Sequence, residues 1–103
     1  MTSTHVSKLP HECVDISEVR NEIDHIDRSI LHLLSSRFGY VREVVKYKEQ
    51  TDTGIEASDR RKAVIATRRE WAQAEGISPD VVEAIYNHLI DYFIEEEKKI
   101  MNN

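Results

Sequence analysis

The chain has 103 residues, with 3 Gly, 2 Pro and 1 Cys, and a net charge of −5 at pH 7. A single Cys cannot form an internal disulfide, the acidic balance disfavours nucleic acid and anionic membranes as partners, and no apolar run is long enough to span a bilayer. The scarcity of Gly and Pro disfavours a β-rich fold. These counts predict one all-α domain, located in the cytoplasm.

The N-terminal segment, residues 1–14, has no apolar periodicity, which predicts a flexible arm. Asp15 and Glu18 then have the spacing of a capping box, so the first helix is expected to begin directly after Asp15. Because no Pro interrupts it, this helix is predicted to continue to Lys48. Residues 15–103 are accordingly predicted to form one helical domain.

Apolar side chains recur along the first helix at steps of three and four residues, the pattern of a heptad-like seam. A helix over 17–48 spans about 48 Å, whereas a compact domain of this size has a radius of gyration of about 13 Å. The seam therefore predicts a two-fold homodimer, and a kink at Gly39 that folds the helix back is the alternative. The seam consists of Ile16, Val19, Ile23, Ile26, Ile30, Leu33, Arg37, Tyr40, Val44 and Tyr47.

Two shorter helices are predicted after a polar loop at 50–54. The second helix is expected over about 58–75, because Gly76 is typical of the residue that follows a helix C-terminus. Ser78, followed by a proline, has the character of an N-cap before a first-turn Pro. The third helix is therefore expected over about 79–101.

Cationic side chains occupy apolar positions in the first helix. Arg37 takes a seam position, and Lys48 lies three helical turns later on the same face. Arg20 is too far from Lys48 for both to share a small-molecule site within one chain, although an antiparallel partner helix could supply its own Arg20. Arg37 has an alternative to ligand binding: it could form a buried ion pair, or extend its charged end past the apolar surface into solvent.

The later helices add one cation and one carboxyl group to apolar stripes. Arg60 lies on the stripe that ends at Trp71 in the second helix. Glu97 continues the core stripe of the third helix, and an ordinary charge in the solvated 95–99 run is its alternative role. The other cations of the second helix are predicted to form a solvated face: Arg61, Lys62 and Arg69.

Cations that converge with one carboxyl group on apolar faces predict a pocket for a small dicarboxylate. Arg suits this ligand because its guanidinium binds a carboxylate through two parallel hydrogen bonds. The sequence contains no Cys-x-x-Cys pair, no His-x-x-x-His, no glycine-rich phosphate loop and no Gly-x-Ser-x-Gly motif. The pattern therefore predicts neither a cofactor nor a metal.

The run from Val19 to Arg37 resembles the first helix of the all-helical chorismate mutases, and the spacing from Arg37 to Lys48 and on to Arg60 is similar as well. Within that family, the chain is most similar to the isochorismate pyruvate lyases of salicylate synthesis. The features shared with that branch are Glu12-Cys13, Tyr40-Val41, Arg69-x-Trp71-Ala72 and Ile94-x-Glu96.

The resemblance implies a three-helix protomer with one very long first helix, in an intertwined homodimer. Arg20 from the partner chain and Arg37 would bind substrate carboxylates, and Arg60 would close the pocket. Lys48 would donate to the ether oxygen of the breaking C–O bond, and Glu97 stands where a second donor is expected. The implied activity is cofactor-free and pericyclic: isochorismate to salicylate plus pyruvate, or chorismate to prephenate. A non-catalytic helical dimerisation or adaptor module is the alternative.

Four positions depart from the family pattern. Position 97 usually carries Gln, whose amide donates a hydrogen bond, whereas Glu97 could donate only when protonated. Arg61 replaces an acidic residue that holds the substrate hydroxyl, and Ala57 and Phe93 replace further polar positions. These losses favour the lyase-like branch, whose substrate carries its hydroxyl elsewhere on the ring.

Overall fold

A computed structural model describes residues 7–47 and 54–101, without the side chains of 54–57 and 101. Throughout these residues the regular structure is helical, with no β-strand, which confirms the all-α class. The chain forms two compact units, residues 1–40 and 41–103. No helix in the described part of the chain is both long and apolar enough to cross a membrane. The main helices are α1 (Ile16–Val44), α2 (Gly54–Glu75) and α3 (Pro79–Met101), with 3₁₀ turns at Pro10–Glu12 and Val45–Tyr47.

The start of α1 follows the predicted capping motif. Asp15 Oδ1 accepts the backbone N–H of Glu18 at 2.8 Å, as an N-cap carboxylate should. The side chain of Glu18 accepts the N–H of Val14 at 2.9 Å, one residue before the N-cap, so the reciprocal half of the box is shifted. From this start the helix continues through Gly39.

The end of α1 differs from the prediction. The helix ends at Val44 and passes into a 3₁₀ turn, and Lys48 lies outside the described residues. Val44 and Val45 are β-branched, which lowers helix propensity, and a 3₁₀ turn commonly completes an α-helix. The prediction that Lys48 shares a face with Arg37 therefore stays a prediction.

The start of α2 also differs from the prediction. The helix begins at Gly54, four residues before Ser58, so the expected loop residue Gly54 is helical. A glycine is tolerated at a helix start because the first N–H groups have no partner within the helix. Glu56 and Ala57, which follow it in the sequence, have high helix propensity. Residues 50–53 of the predicted loop lie outside the described residues.

Local hydrogen bonds fix the connection between α2 and α3 as predicted. Gly76 has a φ of 77°, and the N–H groups of Gly76 and Ile77 donate to carbonyl groups in the last turn of α2 at 3.2 and 3.0 Å. This is a Schellman motif, in which a glycine adopts the left-handed conformation without a Cβ clash. Ser78 Oγ then accepts the N–H of Val81 at 3.2 Å and caps α3.

The helices α2 and α3 form an antiparallel hairpin within the second unit. Two arginines of α2 bond to α3, one at each end of this hairpin. Near the turn, Arg69 Nη1 donates to the carboxylates of Asp80 and Glu83 at 2.9 and 2.8 Å. At the other end, Arg61 Nη1 donates to Asp91 at 2.8 Å. The prediction of a solvated face is therefore wrong for both arginines, which are half-buried.

Candidate active site

The two predicted cations of the first unit lie far apart on α1. Arg20 is exposed and Arg37 is half-buried. Seventeen residues separate them, which corresponds to about 25 Å along the helix axis. One chain therefore does not bring Arg20 and Arg37 to the same small ligand.

The predicted seam of α1 is open to solvent. No residue of α1 is buried, and seam positions such as Ile16 and Ile23 are 64% and 50% exposed. An apolar stripe with this exposure is typical of a surface that binds a partner. The exposed members of the seam are Ile16, Val19, Ile23, Ile30, Leu33, Tyr40, Val44 and Tyr47.

Part of the N-terminal arm, residues 7–14, bonds to the first turns of α1. Lys8 Nζ donates to both carboxylate oxygens of Glu18 at 2.9 Å, and the backbone N–H groups of Ser7 and Lys8 donate to Glu22 Oε2 at 2.7 and 3.3 Å. The N–H of Val14 and then the Lys8 ammonium lower the pKa of Glu18. Burial acts to raise the pKa of Glu22, but the hydrogen bonds from Lys8 and Ser7 outweigh it, so this pKa is lowered as well.

A surface pocket lies beside these bonds. Its polar lining groups are largely engaged with one another, and no predicted site residue is among them, so we assign it no role. The pocket is lined by Ser7, Lys8, Glu18, Asn21, Glu22 and His25.

The second unit places Arg60 and Glu97 at the same end of the α2–α3 hairpin. Arg60 is one residue before Arg61, which bonds to Asp91 across the hairpin. Glu97 lies six residues beyond Asp91 along α3, or about 9 Å by helical rise. Arg60 is exposed, so it is open to an anionic ligand, whereas Glu97 is half-buried. The structure therefore places two of the predicted site residues, one cation and one carboxyl group, toward the same end of the hairpin.

Arg68, for which no role was predicted, contacts two aromatic rings beside the α2 stripe that runs from Arg60 to Trp71. Its guanidinium carbon is 4.6 Å from the centre of the Trp71 ring and 5.5 Å from that of the Tyr86 ring. Its Nη1 also donates to Thr67 Oγ1 at 2.9 Å. The three-residue spacing from Arg68 to Trp71 on one helix is the sequence signal for such a cation–π pair. The cluster stabilises Trp71 on the stripe that begins at Arg60.

The cross-hairpin bonds of Arg61 and Arg69 were also missed, although the sequence contains their signal. Arg61 and Asp91 are thirty residues apart and Arg69 and Glu83 are fourteen apart, and both pairs are centred on Gly76. Opposite charges mirrored about a predicted turn are typical of an antiparallel hairpin. Within the described parts of the chain, no cluster of three or more His, Cys, Asp or Glu side chains could hold a metal ion.

Comparison with known proteins gives matches over most of the chain. Residues 19–98 match the sequence model of the family chorismate mutase type II. An isochorismate pyruvate lyase from Pseudomonas aeruginosa is 30% identical over 92 residues, which are 89% of this chain and 90% of that relative.

Two T-proteins are similar as well. The T-protein of Enterobacter agglomerans is 30% identical over 86 residues, and that of Haemophilus influenzae is 36% identical over 70 residues. The matches cover 82% and 68% of this chain but 23% and 19% of the T-proteins. The chain thus spans about a quarter or less of the length of these two relatives.

Proposed function

The chain belongs to the chorismate mutase type II family, and from this membership we propose that it is an enzyme that acts on isochorismate or chorismate. The observation that carries the proposal is the match to an isochorismate pyruvate lyase, which extends over 89% of this chain and 90% of that relative. We infer that the enzyme cleaves isochorismate to salicylate and pyruvate, with conversion of chorismate to prephenate as the second candidate activity.

The proposed reactions break an ether C–O bond in one concerted step, so the site has to orient the substrate and stabilise charge. Arg37, together with Arg20 of the partner chain, binds the substrate carboxylates through its guanidinium group, and Arg60 closes the pocket over the bound substrate. Lys48 donates to the ether oxygen as negative charge develops there. Glu97 in its protonated form supplies a second donor. Support for these roles comes from the exposure of Arg60 and from the position of Glu97 at the same end of the hairpin.

We further propose that two copies of the chain assemble and that each supplies Arg20 to the site of its partner. The support is that Arg20 lies about 25 Å from Arg37 along α1, and that the apolar seam of α1 is exposed in one chain. Refolding a mixture of the impaired variants Arg20→Ala and Arg60→Ala tests this arrangement. Mixed dimers then contain one intact site, so about one quarter of the unmodified activity should return. No return of activity contradicts the exchange of Arg20.

A non-catalytic dimerisation or adaptor module is the second candidate, and the exposed seam favours it. Under that function Arg37 has only a packing role, and Arg37→Leu is neutral or stabilising because an apolar side chain can replace an ion pair. Under the enzyme proposal, the same variant still assembles but loses turnover and dicarboxylate binding. Turnover together with size-exclusion chromatography separates the two functions.

Incubation of the purified protein with each substrate tests the proposal. We expect salicylate plus pyruvate from isochorismate, or prephenate from chorismate, and turnover of neither substrate refutes the enzyme proposal. Lys48→Ala should lower kcat by about 10²–10³-fold, the usual effect of removing one oxyanion donor. Lys46→Ala is the matched control, because Lys46 is an exposed cation two residues earlier that pairs with Glu43 at 3.1 Å.

A further inference from the structure

Arg61 differs from its neighbours in the first described turns of α2. Of the described side chains at 58–63, that of Arg61 is half-buried and the other five are exposed. The first buried apolar side chain of α2 among the described residues is Val64, at 5% exposure. Charged residues recur around α2, so the helix is only weakly amphipathic. Among the described side chains at 58–63, Arg61 therefore gives the clearest attachment of α2 to α3.

The guanidinium of Arg61 is bonded to α3 by each of its nitrogen atoms. Nη1 donates to Asp91 Oδ1 at 2.8 Å, and Nε donates to the Asn87 side-chain oxygen at 3.2 Å. Nη2 donates to the same Asn87 oxygen at 3.1 Å and to the Asn87 carbonyl at 3.3 Å. This pattern uses the planar donor fork of arginine, which a lysine ammonium cannot reproduce.

We propose that Arg61 is a positioning residue, which fixes the start of α2 on α3 and thereby holds Arg60 at a constant place relative to Glu97. The inference rests on the proposed function, since Arg60 is there a substrate-binding residue. Arg61 itself does not bind substrate in this account, because its nitrogen atoms already donate to Asn87 and Asp91. Arg61 acts through the backbone of its neighbour. When its guanidinium hydrogen bonds to α3 are removed, the first turns of α2 separate from α3, and Arg60 moves with them.

Arg69 provides a matched control, because it forms the same kind of bond at the other end of the same hairpin. Its Nη1 bonds to Asp80 and Glu83 at 2.9 and 2.8 Å. Both Arg61→Gln and Arg69→Gln should therefore lower the urea midpoint of unfolding. Only Arg61→Gln should raise KM, by roughly tenfold with little change in kcat, because a displaced Arg60 weakens ground-state and transition-state binding alike.

A double-variant cycle with Asp91→Asn tests whether Arg61 acts through α3. Asp91→Asn alone should also raise KM. The double variant should have a KM no higher than that of Arg61→Gln, because both changes break the same hydrogen-bond network. The proposal is overturned if KM is unchanged in Arg61→Gln or rises equally in Arg69→Gln. It is also overturned if the effects of Arg61→Gln and Asp91→Asn on KM are strictly additive.

Hydrogen exchange in the absence of substrate separates this inference from the proposed function. In Arg61→Gln the backbone amides of 58–66 should exchange faster than in the unmodified protein, whereas Arg69→Gln should leave them unchanged. If the unmodified protein converts neither substrate, the proposed function fails, and faster exchange in Arg61→Gln alone still supports the anchoring. Unchanged exchange in Arg61→Gln overturns the anchoring whatever the turnover.

Discussion

Arginine bonds join the helices at both ends of the α2–α3 hairpin, but only the turn end is also fixed by local backbone structure. At the turn end, the chain itself joins the helices, Gly76 forms a Schellman motif and Ser78 caps α3. At the open end, the side chain of Arg61 bonds to Asn87 and Asp91 of α3. The proposed substrate-binding residue Arg60 and the proposed donor Glu97 lie at this open end. The open end therefore carries the candidate chemistry, and the side-chain bonds of Arg61 help to set its geometry.

The largest expected effect is the loss of activity in Arg60→Ala, a change at the open end. We expect kcat/KM to fall by roughly 10–100-fold, because charge-assisted hydrogen bonds to the bound substrate are lost. Lys62→Ala is the control, since Lys62 is on the same helix and is exposed as predicted. Steady-state kinetics decide the point, and equal losses in both variants remove the distinction between Arg60 and a general surface cation.

The second test concerns the carboxyl group at the open end. If the reaction needs a hydrogen-bond donor at position 97, Glu97→Gln should retain or raise kcat, because an amide always carries a donor. Glu97→Met, which cannot donate, should lower kcat. Glu95→Gln should leave kcat unchanged, since Glu95 is exposed and paired with Lys98 at 3.3 Å. Equal kcat values in Glu97→Gln and Glu97→Met contradict the donor role.

A smaller effect, on the free energy of unfolding, is expected from a change at the turn end. Gly76→Ala should destabilise the protein by about 1–2 kcal/mol, the cost of a left-handed conformation for a residue with a Cβ. No atom lies within 4 Å of the position of that Cβ, so the cost is conformational. Gly39→Ala, with equally open surroundings inside α1, should instead stabilise by about 0.5–1 kcal/mol. Urea unfolding measures both; an unchanged midpoint for Gly76→Ala contradicts the assigned turn.

The smallest expected effect is a change in the pKa of Asp91. The hydrogen bond from Arg61 lowers the pKa of this carboxyl group. Its contribution to stability is therefore present above the pKa of the unfolded chain and is lost as pH falls through the lower pKa of the folded protein. In Arg61→Gln, NMR titration should show a higher pKa for Asp91, whereas Arg69→Gln should not change it. An identical pKa in all three proteins means that Arg61 does not hold Asp91 in solution.

The same contrast explains how much could be predicted from the sequence. The turn end depends on signals within a few residues, so Gly76 and Ser78 were predicted correctly. The bonds of Arg61 and Arg69 join residues of different helices, so their signal, opposite charges mirrored about Gly76, can be read only after the turn has been placed there. The end of α1 at Val44 was missed because no Gly or Pro marks it.

The candidate site divides in the same way. The site roles of Arg60 and Glu97 were predicted from the family resemblance, and the structure places both residues toward one end of the hairpin. Arg20 and Arg37 lie far apart on one helix, so any joint role depends on a second copy of the chain. The role of Lys48 stays a prediction, as do the N-terminal arm boundary at residue 14 and the cytoplasmic location.

The most direct test of the central claim, that substrate binds at the open end of the hairpin, is hydrogen exchange of the Lys48→Ala protein with and without saturating isochorismate. This variant binds the substrate but turns it over slowly in our account. The account predicts slower exchange at 58–66 and 90–98 and no change at 72–82. Protection confined to 72–82, or no protection anywhere at saturating isochorismate, would contradict it.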